Sequence, residues 1–226
     1  MTAIAPRLYV DSADVDRVSS LLTAGVVHGV TTNPTILERG GRTAAEIPQL
    51  YSRWESEGAR EIFFQTWGGD TSALLRNADG IRALGDRVVV KVPATAAGFA
   101  AASVLVRDGA SVLVTAVYSV AQALACAAVG VQYIAPYLGR MRDAIAAAGS
   151  GADAEDVIAR MQEMCAGSTT NVLAASLRSP EDVIGLRRAG IPYFTAAPDV
   201  IERMLFDEVS DSSAAEFDAA MGRLGA

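Results

Sequence analysis

The chain has 226 residues, 51% of them hydrophobic, and a formal net charge of −7 at pH 7. This length suits one large domain, and the acidic balance disfavours non-specific binding to nucleic acid or to an anionic membrane. No apolar run reaches the roughly 20 residues that span a bilayer, and the N-terminus lacks a signal-peptide pattern, so we expect a cytoplasmic protein. One histidine and two cysteines, Cys126 and Cys165, offer few metal ligands. Because GxxxxGK[ST] and GxGxxG motifs are also missing, the sequence predicts neither a metal site nor a cofactor.

Short β-branched runs alternate with alanine- and leucine-rich amphipathic segments, which is the pattern of repeated βα units. Strands are predicted at 7–10, 27–30, 61–65, 87–92, 111–115, 131–135, 171–175 and 192–195. Helices are predicted at 14–23, 43–57, 71–84, 97–108, 119–129, 139–166 with a break at 149–151, 180–188 and 198–205. Eight such units without a long linker predict one (β/α)8 TIM barrel domain over residues 1–226. A doubly wound open sheet is the alternative, but its usual glycine-rich first turn is missing.

An extra helix is predicted at the C-terminus, over residues 211–226, beyond what a barrel requires. Its sequence brings Ala214, Phe217, Met221 and Leu224 near one face. That apolar face either folds back on its own barrel or packs on a neighbouring subunit.

Polar residues stand at the C-terminal ends of the predicted strands, where barrel enzymes place their reactive groups. They are Asp11, Thr32, Asn33, Gln65, Lys91, Thr115, Tyr137, Arg140, Ser176 and Arg178. A single polar residue at a strand end is usually a helix cap or a loop anchor. Since these residues follow seven different strands, a barrel would bring them to one mouth, and the sequence predicts a site there.

Lys91 is the only lysine in the chain, and it follows three valines in the stretch VVVKVPAT. Burial in an apolar strand disfavours the charged ammonium, lowers its pKa and makes a neutral amine available. A neutral amine attacks carbonyl carbons and forms a Schiff base, an electron sink that permits carbon–carbon cleavage without a metal or cofactor. The alternative is a structural ion pair between Lys91 and Asp11.

A Schiff-base enzyme also needs groups that move protons. Because the sole histidine, His28, lies at the start of a predicted strand, the candidates are Asp11, Tyr137 and a water held by Gln65 and Thr115. Gln65 and Thr115 can equally serve as hydrogen-bonding groups of the barrel core.

Two arginines and a serine follow neighbouring strands late in the barrel, where phosphate sites often lie. They are Arg140, Ser176 and Arg178. The fixed fork of guanidinium donors suits phosphate oxygens. A solvated charge at a helix end is the alternative for each arginine, but the set favours a phosphorylated substrate.

Six sequence blocks appear in order between residue 8 and about residue 206: LYVDSADV, GVTTNPTI, VVVKVPAT, YIAPYLGR, VLAAS and PDVIERML. They resemble the transaldolase family, in particular its small-barrel branch that includes fructose-6-phosphate aldolase. The resemblance implies a metal-free class I enzyme on a (β/α)8 barrel, with its Schiff-base lysine on the fourth strand, at Lys91. It also implies a homo-oligomer, often a decamer of stacked pentameric rings, in which the C-terminal helix reaches a neighbour.

The resemblance further implies roles for individual residues. Asp11 would handle the protons of substrate hydroxyls, Thr31 and Asn33 would bind those hydroxyls, and Thr115 would help to position a catalytic water. The two arginines and the serine named above would hold the phosphate of the acceptor.

Two positions separate the activities within this family. Transaldolases are similar to this chain but typically have Glu at the position of Gln65 and Phe at that of Tyr137, whereas the aldolase branch resembles it at both. A phenol can hold a water or protonate the enamine, which releases the intermediate. The chain departs from the family pattern at Ala97, Leu177 and Trp67, positions expected to bear on substrate choice.

Three functions are therefore considered. The first is an aldolase that joins dihydroxyacetone to glyceraldehyde 3-phosphate or splits fructose 6-phosphate. The second is a transaldolase that moves the same three-carbon unit between sugar phosphates. The third is a non-catalytic barrel that binds a sugar phosphate or acts as a scaffold, and the lysine, aspartate and threonine retained at matched strand ends argue against it.

Overall fold

A computed structural model describes residues 5–225, in which eight parallel strands close into a barrel in chain order. The strands are β1 (Arg7–Asp11), β2 (Gly29–Thr31), β3 (Glu61–Gln65), β4 (Val88–Pro93), β5 (Val112–Val117), β6 (Tyr133–Pro136), β7 (Asn171–Leu177) and β8 (Tyr193–Ala196). The helices are α1 (Val15–Thr23), α2 (Pro34–Arg39), α3 (Ile47–Ser56), α4 (Thr71–Arg82), α5 (Ala96–Arg107), α6 (Val120–Val129), α7 (Leu138–Ala147), α8 (Ala154–Cys165), α9 (Pro180–Arg188), α10 (Pro198–Leu205) and α11 (Glu208–Arg223). The (β/α)8 barrel prediction is confirmed, while residues 1–4 and 226 of the predicted domain lie outside the described residues.

Two connections differ from the predicted helices. The chain after β2 forms the short helix α2 before α3, because Asn33 accepts a hydrogen bond from the backbone of Ile36 and Pro34 occupies the first turn. The long segment predicted over 139–166 divides into α7 and α8, and Asp153 caps the second of these helices. The break is wider than predicted and runs from residue 148 to residue 153.

Side chains alternate between the inside of the barrel and the layer under the helices. Val10, Ile62 and Val90 belong to the large core between strands and helices. The second core fills the barrel itself and consists of Tyr9, Phe63, Val89, Leu113, Tyr133, Ala135, Tyr137, Leu173, Ala175 and Tyr193. Because successive strand residues point to opposite faces, a residue two positions after one of these also faces inward, at the C-terminal end of its strand.

A polar network fills the N-terminal end of the barrel. Glu61 accepts hydrogen bonds from Tyr9 at 2.5 Å and from Tyr133 at 2.9 Å, and Arg7 lies 3.7 Å from the same carboxylate. His28 is 3.5 Å from Glu61, and burial lowers the pKa of its imidazole. These contacts satisfy a half-buried carboxylate and place the histidine at the end opposite the strand C-termini.

The C-terminal helix α11 begins three residues before its predicted start, where Asp207 caps it. None of its residues is buried, and Phe217, Met221 and Leu224 are 68%, 52% and 80% exposed. The barrel of the same chain therefore leaves this apolar face uncovered. No helix among residues 5–225 is both long enough and apolar enough to cross a membrane.

Candidate active site

Lys91 lies in β4 between Gln65 of β3 and Leu113 of β5, and it is only 4% exposed. It follows the inward-facing Val89 by two positions, so its side chain points into the barrel. Burial lowers the pKa of the Lys91 amine, and the electrostatic attraction of Asp11 partly offsets that effect. A lowered pKa increases the fraction of neutral, nucleophilic amine at a given pH, beside a carboxyl group.

Asp11 ends β1 and is held by a short chain of hydroxyl groups. The hydroxyl of Thr31 donates to Asp11 across 2.6 Å, and Thr31 lies 2.6 Å from the hydroxyl of Thr195. Burial raises the pKa of Asp11, while the charge of Lys91, the Thr31 hydrogen bond and the charge of Arg140 lower it, in that order. Burial outweighs these three groups, so the pKa of Asp11 is raised overall, and each of the three makes the carboxyl group easier to ionise.

Tyr137 follows β6 and places its hydroxyl 2.7 Å from that of Thr115 in β5. The Arg140 guanidinium lies over the Tyr137 ring, 5.1 Å from its centroid, and Tyr118 packs edge-on against the same ring. Burial raises the pKa of the Tyr137 phenol, which keeps it protonated at neutral pH. Tyr137 can thus donate a proton at the mouth of the barrel.

Two non-glycine residues at the mouth have left-handed backbone conformations. Ala116 in β5 has φ of 60° and Ser176 in β7 has φ of 57°, and the register of each strand shifts at the same point. A left-handed conformation at a non-glycine residue costs about 1–3 kcal/mol of conformational free energy, and such residues are concentrated at functional sites. Each shift changes the direction of the chain just after an inward-facing position.

Arg178 forms a bidentate ion pair with Asp143 of α7. Its Nη1 donates to Oδ1 across 2.9 Å and its Nη2 donates to Oδ2 across 2.5 Å. The first turn of α7 approaches this guanidinium closely because Gly139 has no side chain. A Cβ there would lie 2.7 Å from Arg178 Nε and 2.7 Å from the Ser176 carbonyl oxygen. Both partners of the pair are more than half exposed, so solvent screens their attraction.

A cavity of about 380 Å³ opens at this end of the barrel. Six of the eleven residues predicted at the mouth line it: Asp11, Asn33, Tyr137, Arg140, Ser176 and Arg178. Thr32 does not, and its buried hydroxyl donates to the carbonyl oxygen of Phe63 in β3. The other four adjoin these residues, since Thr31 bonds to Asp11, Thr115 bonds to Tyr137, Lys91 attracts Asp11, and Gln65 pairs with Lys91 in register. A second cavity of about 610 Å³ shares Asp11 and Arg39 with the first.

Several residues that border the cavity were missing from the sequence prediction, and Thr195, Asp143 and Arg39 are among them. Thr195 lies two positions after the inward-facing Tyr193, so the alternation of strand residues carried a usable signal. Asp143 follows Arg140 by three positions and therefore shares its helix face. Arg39 belongs to α2, the helix that the sequence prediction lacked.

No three histidine, cysteine, aspartate or glutamate side chains in the described part of the chain are grouped so that they could hold a metal ion. The titratable groups that meet at the mouth are the amine, carboxyl, phenol and guanidinium groups described above.

The sequence model of the family described as "Transaldolase/Fructose-6-phosphate aldolase" matches residues 8–225. The chain belongs to this family. A "Probable transaldolase" from Paracoccus denitrificans is 31% identical over 222 residues, which cover 97% of this chain and 98% of that protein. A "Probable transaldolase" from Coprothermobacter proteolyticus is 29% identical, covering 93% of this chain and 94% of the relative.

Solved structures share the architecture of this transaldolase-family chain. A dihydrodipicolinate synthase family protein from Coccidioides immitis superposes with a TM-score of 0.64 and 14% identity, over 98% of this chain and 76% of that chain. Thiamine phosphate pyrophosphorylase from Pyrococcus furiosus gives a TM-score of 0.57 and 13% identity, over 86% and 87% of the two chains. At these identities the likeness concerns the fold alone.

Proposed function

We propose that this protein is a class I, metal-independent aldolase that reversibly joins dihydroxyacetone to glyceraldehyde 3-phosphate. The observation that carries the proposal is the Tyr137 hydroxyl, 2.7 Å from Thr115 at the mouth that contains Lys91 and Asp11. A protonated phenol there can release the three-carbon intermediate by protonating it. A phenylalanine would have no proton to give.

In the cleavage direction, the neutral amine of Lys91 attacks the ketone carbon of fructose 6-phosphate and loses water to form a Schiff base. Asp11 takes the proton of the substrate's C4 hydroxyl, the C3–C4 bond breaks, and glyceraldehyde 3-phosphate leaves. The bonding electrons move into an enamine on Lys91. Tyr137, with a water held by Gln65 and Thr115, delivers a proton to C3, and hydrolysis of the imine frees dihydroxyacetone.

Transfer of the three-carbon unit to a second aldehyde is the second candidate function. It is favoured by the printed names of the relatives, which are "Probable transaldolase". The two functions differ in whether an acceptor is needed for turnover. We expect the protein to release dihydroxyacetone from fructose 6-phosphate alone. Turnover only after erythrose 4-phosphate is added would instead identify a transaldolase.

Phosphate recognition is assigned in this proposal to Arg140 and Arg178, with Ser176 beside them. Arg140→Ala should raise KM for glyceraldehyde 3-phosphate about 30-fold, because a charge-assisted hydrogen bond is worth roughly 2 kcal/mol. Arg178→Ala should have a smaller effect, since Asp143 already engages that guanidinium. Steady-state kinetics with unphosphorylated glyceraldehyde provide the control. Equal losses for both aldehydes would assign the arginines a structural role.

Thr31 and Asn33 are assigned to the hydroxyls of the substrate. Asn33 uses its side-chain oxygen to cap α2, which fixes the amide beside the cavity. Thr31 already donates its proton to Asp11. In this proposal Thr31 therefore accepts a hydrogen bond or acts through the carboxylate.

We include self-assembly through α11 in the proposal, because its apolar face is exposed on the single chain. Removing residues 212–226 should lower the particle mass measured by light scattering. Phe217→Asp should act in the same direction, since it puts a charge in the centre of that face. Glu216→Gln, on the adjacent polar side, is the matched control. An unchanged mass in both test variants would show that α11 has no part in assembly.

A reducing, cytoplasmic setting also belongs to the proposal. Cys126 and Cys165 are free and buried, and burial raises the pKa of the Cys126 thiol to about 12 and that of Cys165 to about 11. Thiols with such pKa values are unreactive core residues.

A further inference from the structure

Thr195 lies at the end of β8 and meets Thr31 of β2 across the inward face of β1. Both threonines are almost fully buried, at 2% and 1% exposure. Thr195 borders the reaction cavity together with Asp11. Three neighbouring strands thus contribute one group each to a hydrogen-bonded chain that ends on a carboxyl group.

Counting protons fixes the direction of this chain when Asp11 is ionised. A carboxylate accepts hydrogen bonds only, so Thr31 must spend its single hydroxyl proton on Asp11. The 2.6 Å contact between the threonines then requires Thr195 to be the donor and Thr31 the acceptor. If Asp11 becomes protonated and donates to Thr31, that polarity is lost or reversed.

We propose that Thr195 is a positioning residue for the reaction: its hydroxyl, by donating to Thr31, holds the Thr31 proton on Asp11 and so keeps the carboxylate ionised and oriented. The role in catalysis rests on the proposed function. Thr195 acts through Thr31, because chained hydrogen bonds polarise one another in a buried setting. If Thr195 only filled space in the core, removal of its hydroxyl would leave the pKa of Asp11 unchanged.

Other groups also face Asp11 and set the background for its titration. The charges of Lys91 in β4 and Arg140 in α7 lower the pKa of Asp11, and the phenol of Tyr137 lies close enough to interact with it. The remaining charged residues that line the same cavity are Arg39, Arg178 and Asp143. The threonine chain adds to these effects from the side of β2 and β8.

The test compares Thr195→Val, which keeps the shape of the side chain but removes its hydroxyl, with Thr195→Ser, which keeps a hydroxyl donor. Thr170→Val is the matched control, because Thr170 is equally buried but donates to the Val131 carbonyl, away from Asp11. The pKa of Asp11 is measured by carbon-13 NMR of the aspartate carboxyl groups. This readout does not depend on any enzymatic activity.

Thr195→Val should raise the pKa of Asp11 by roughly half a unit. The effect is small because the lost hydrogen bond is between two neutral hydroxyls and reaches Asp11 only through Thr31. Loss of stabilisation of the ionised form moves the acid limb of the kcat/KM profile for fructose 6-phosphate to higher pH by the same amount. Thr195→Ser should restore both values, and Thr170→Val should change neither.

Dependence on Thr31 is tested with a double-mutant cycle. Thr195→Val should have no further effect on the pKa of Asp11 in a Thr31→Val background, because the connection is already broken. An unchanged pKa of Asp11 in Thr195→Val, or an additive effect in that background, would overturn the proposal. If the NMR shift occurs in an enzyme that cannot cleave fructose 6-phosphate, the positioning role stands and the proposed function fails.

Discussion

Lys91→Met should abolish cleavage of fructose 6-phosphate, with a loss of ~10⁴-fold or more in kcat, because no Schiff base can form. The fold should survive, since methionine has a similar length and is apolar, and Lys91 is only 4% exposed. Coupled assay of glyceraldehyde 3-phosphate release gives the rate, and thermal unfolding confirms the folded state.

Lys91→Arg separates the catalytic role from a structural ion pair. Arginine keeps the positive charge beside Asp11 but remains protonated and cannot act as a nucleophile. We expect Lys91→Arg to be as inactive as Lys91→Met. Substantial activity in Lys91→Arg alone would mean that Lys91 serves only to balance the charge of Asp11. Substantial activity in Lys91→Met would mean that the reaction does not use Lys91 as a nucleophile.

Tyr137→Phe should reduce release of free dihydroxyacetone by about 10²–10⁴-fold, the usual contribution of a general acid. The ring keeps its volume and its packing against Tyr118, so only the proton donor is lost. Transfer to erythrose 4-phosphate should be retained or improved, because the enamine then waits for an aldehyde. The two rates are measured separately, as dihydroxyacetone without an acceptor and as sedoheptulose 7-phosphate with one.

Tyr118→Phe is the matched control for that substitution. It removes the hydroxyl group of the neighbouring ring, whose centroid lies 6.1 Å from that of Tyr137. We expect both rates to stay near those of the wild type. The partner hydroxyl of Thr115 loses a hydrogen bond in Tyr137→Phe, which should lower the free energy of unfolding by about 1 kcal/mol. Parallel losses of both rates in Tyr137→Phe would contradict the assignment of the phenol as the proton donor.

The barrel and the arrangement of most predicted site residues followed from patterns within short segments. The run of valines around Lys91 in VVVKVPAT predicted a buried strand, and the order of eight βα units placed the strand ends at one mouth. These predictions succeeded because period-two alternation and closure of the barrel together determine which side chains converge.

Features that depend on contacts between distant segments escaped the prediction. The ion pair joins Arg178, in the loop after β7, to Asp143 in α7. It requires α7 to approach the end of β7 closely, which is possible because Gly139 has no side chain. The left-handed conformations at Ala116 and Ser176 could not be predicted from the sequence, because neither position has the glycine that usually marks them. Thr195 was missed for a different reason, since the alternation in β8 would have revealed it.

The most direct test of the Schiff-base mechanism is reduction of the enzyme with borohydride in the presence of dihydroxyacetone. The chain offers very few amines, because Lys91 is its only lysine and the N-terminus supplies the other primary amine. Intact-mass analysis should show one added three-carbon unit, and peptide mapping should place it on the peptide containing Lys91. Lys91→Met should gain no such mass. An adduct confined to the N-terminal amine, or no adduct in an active enzyme, would contradict the mechanism.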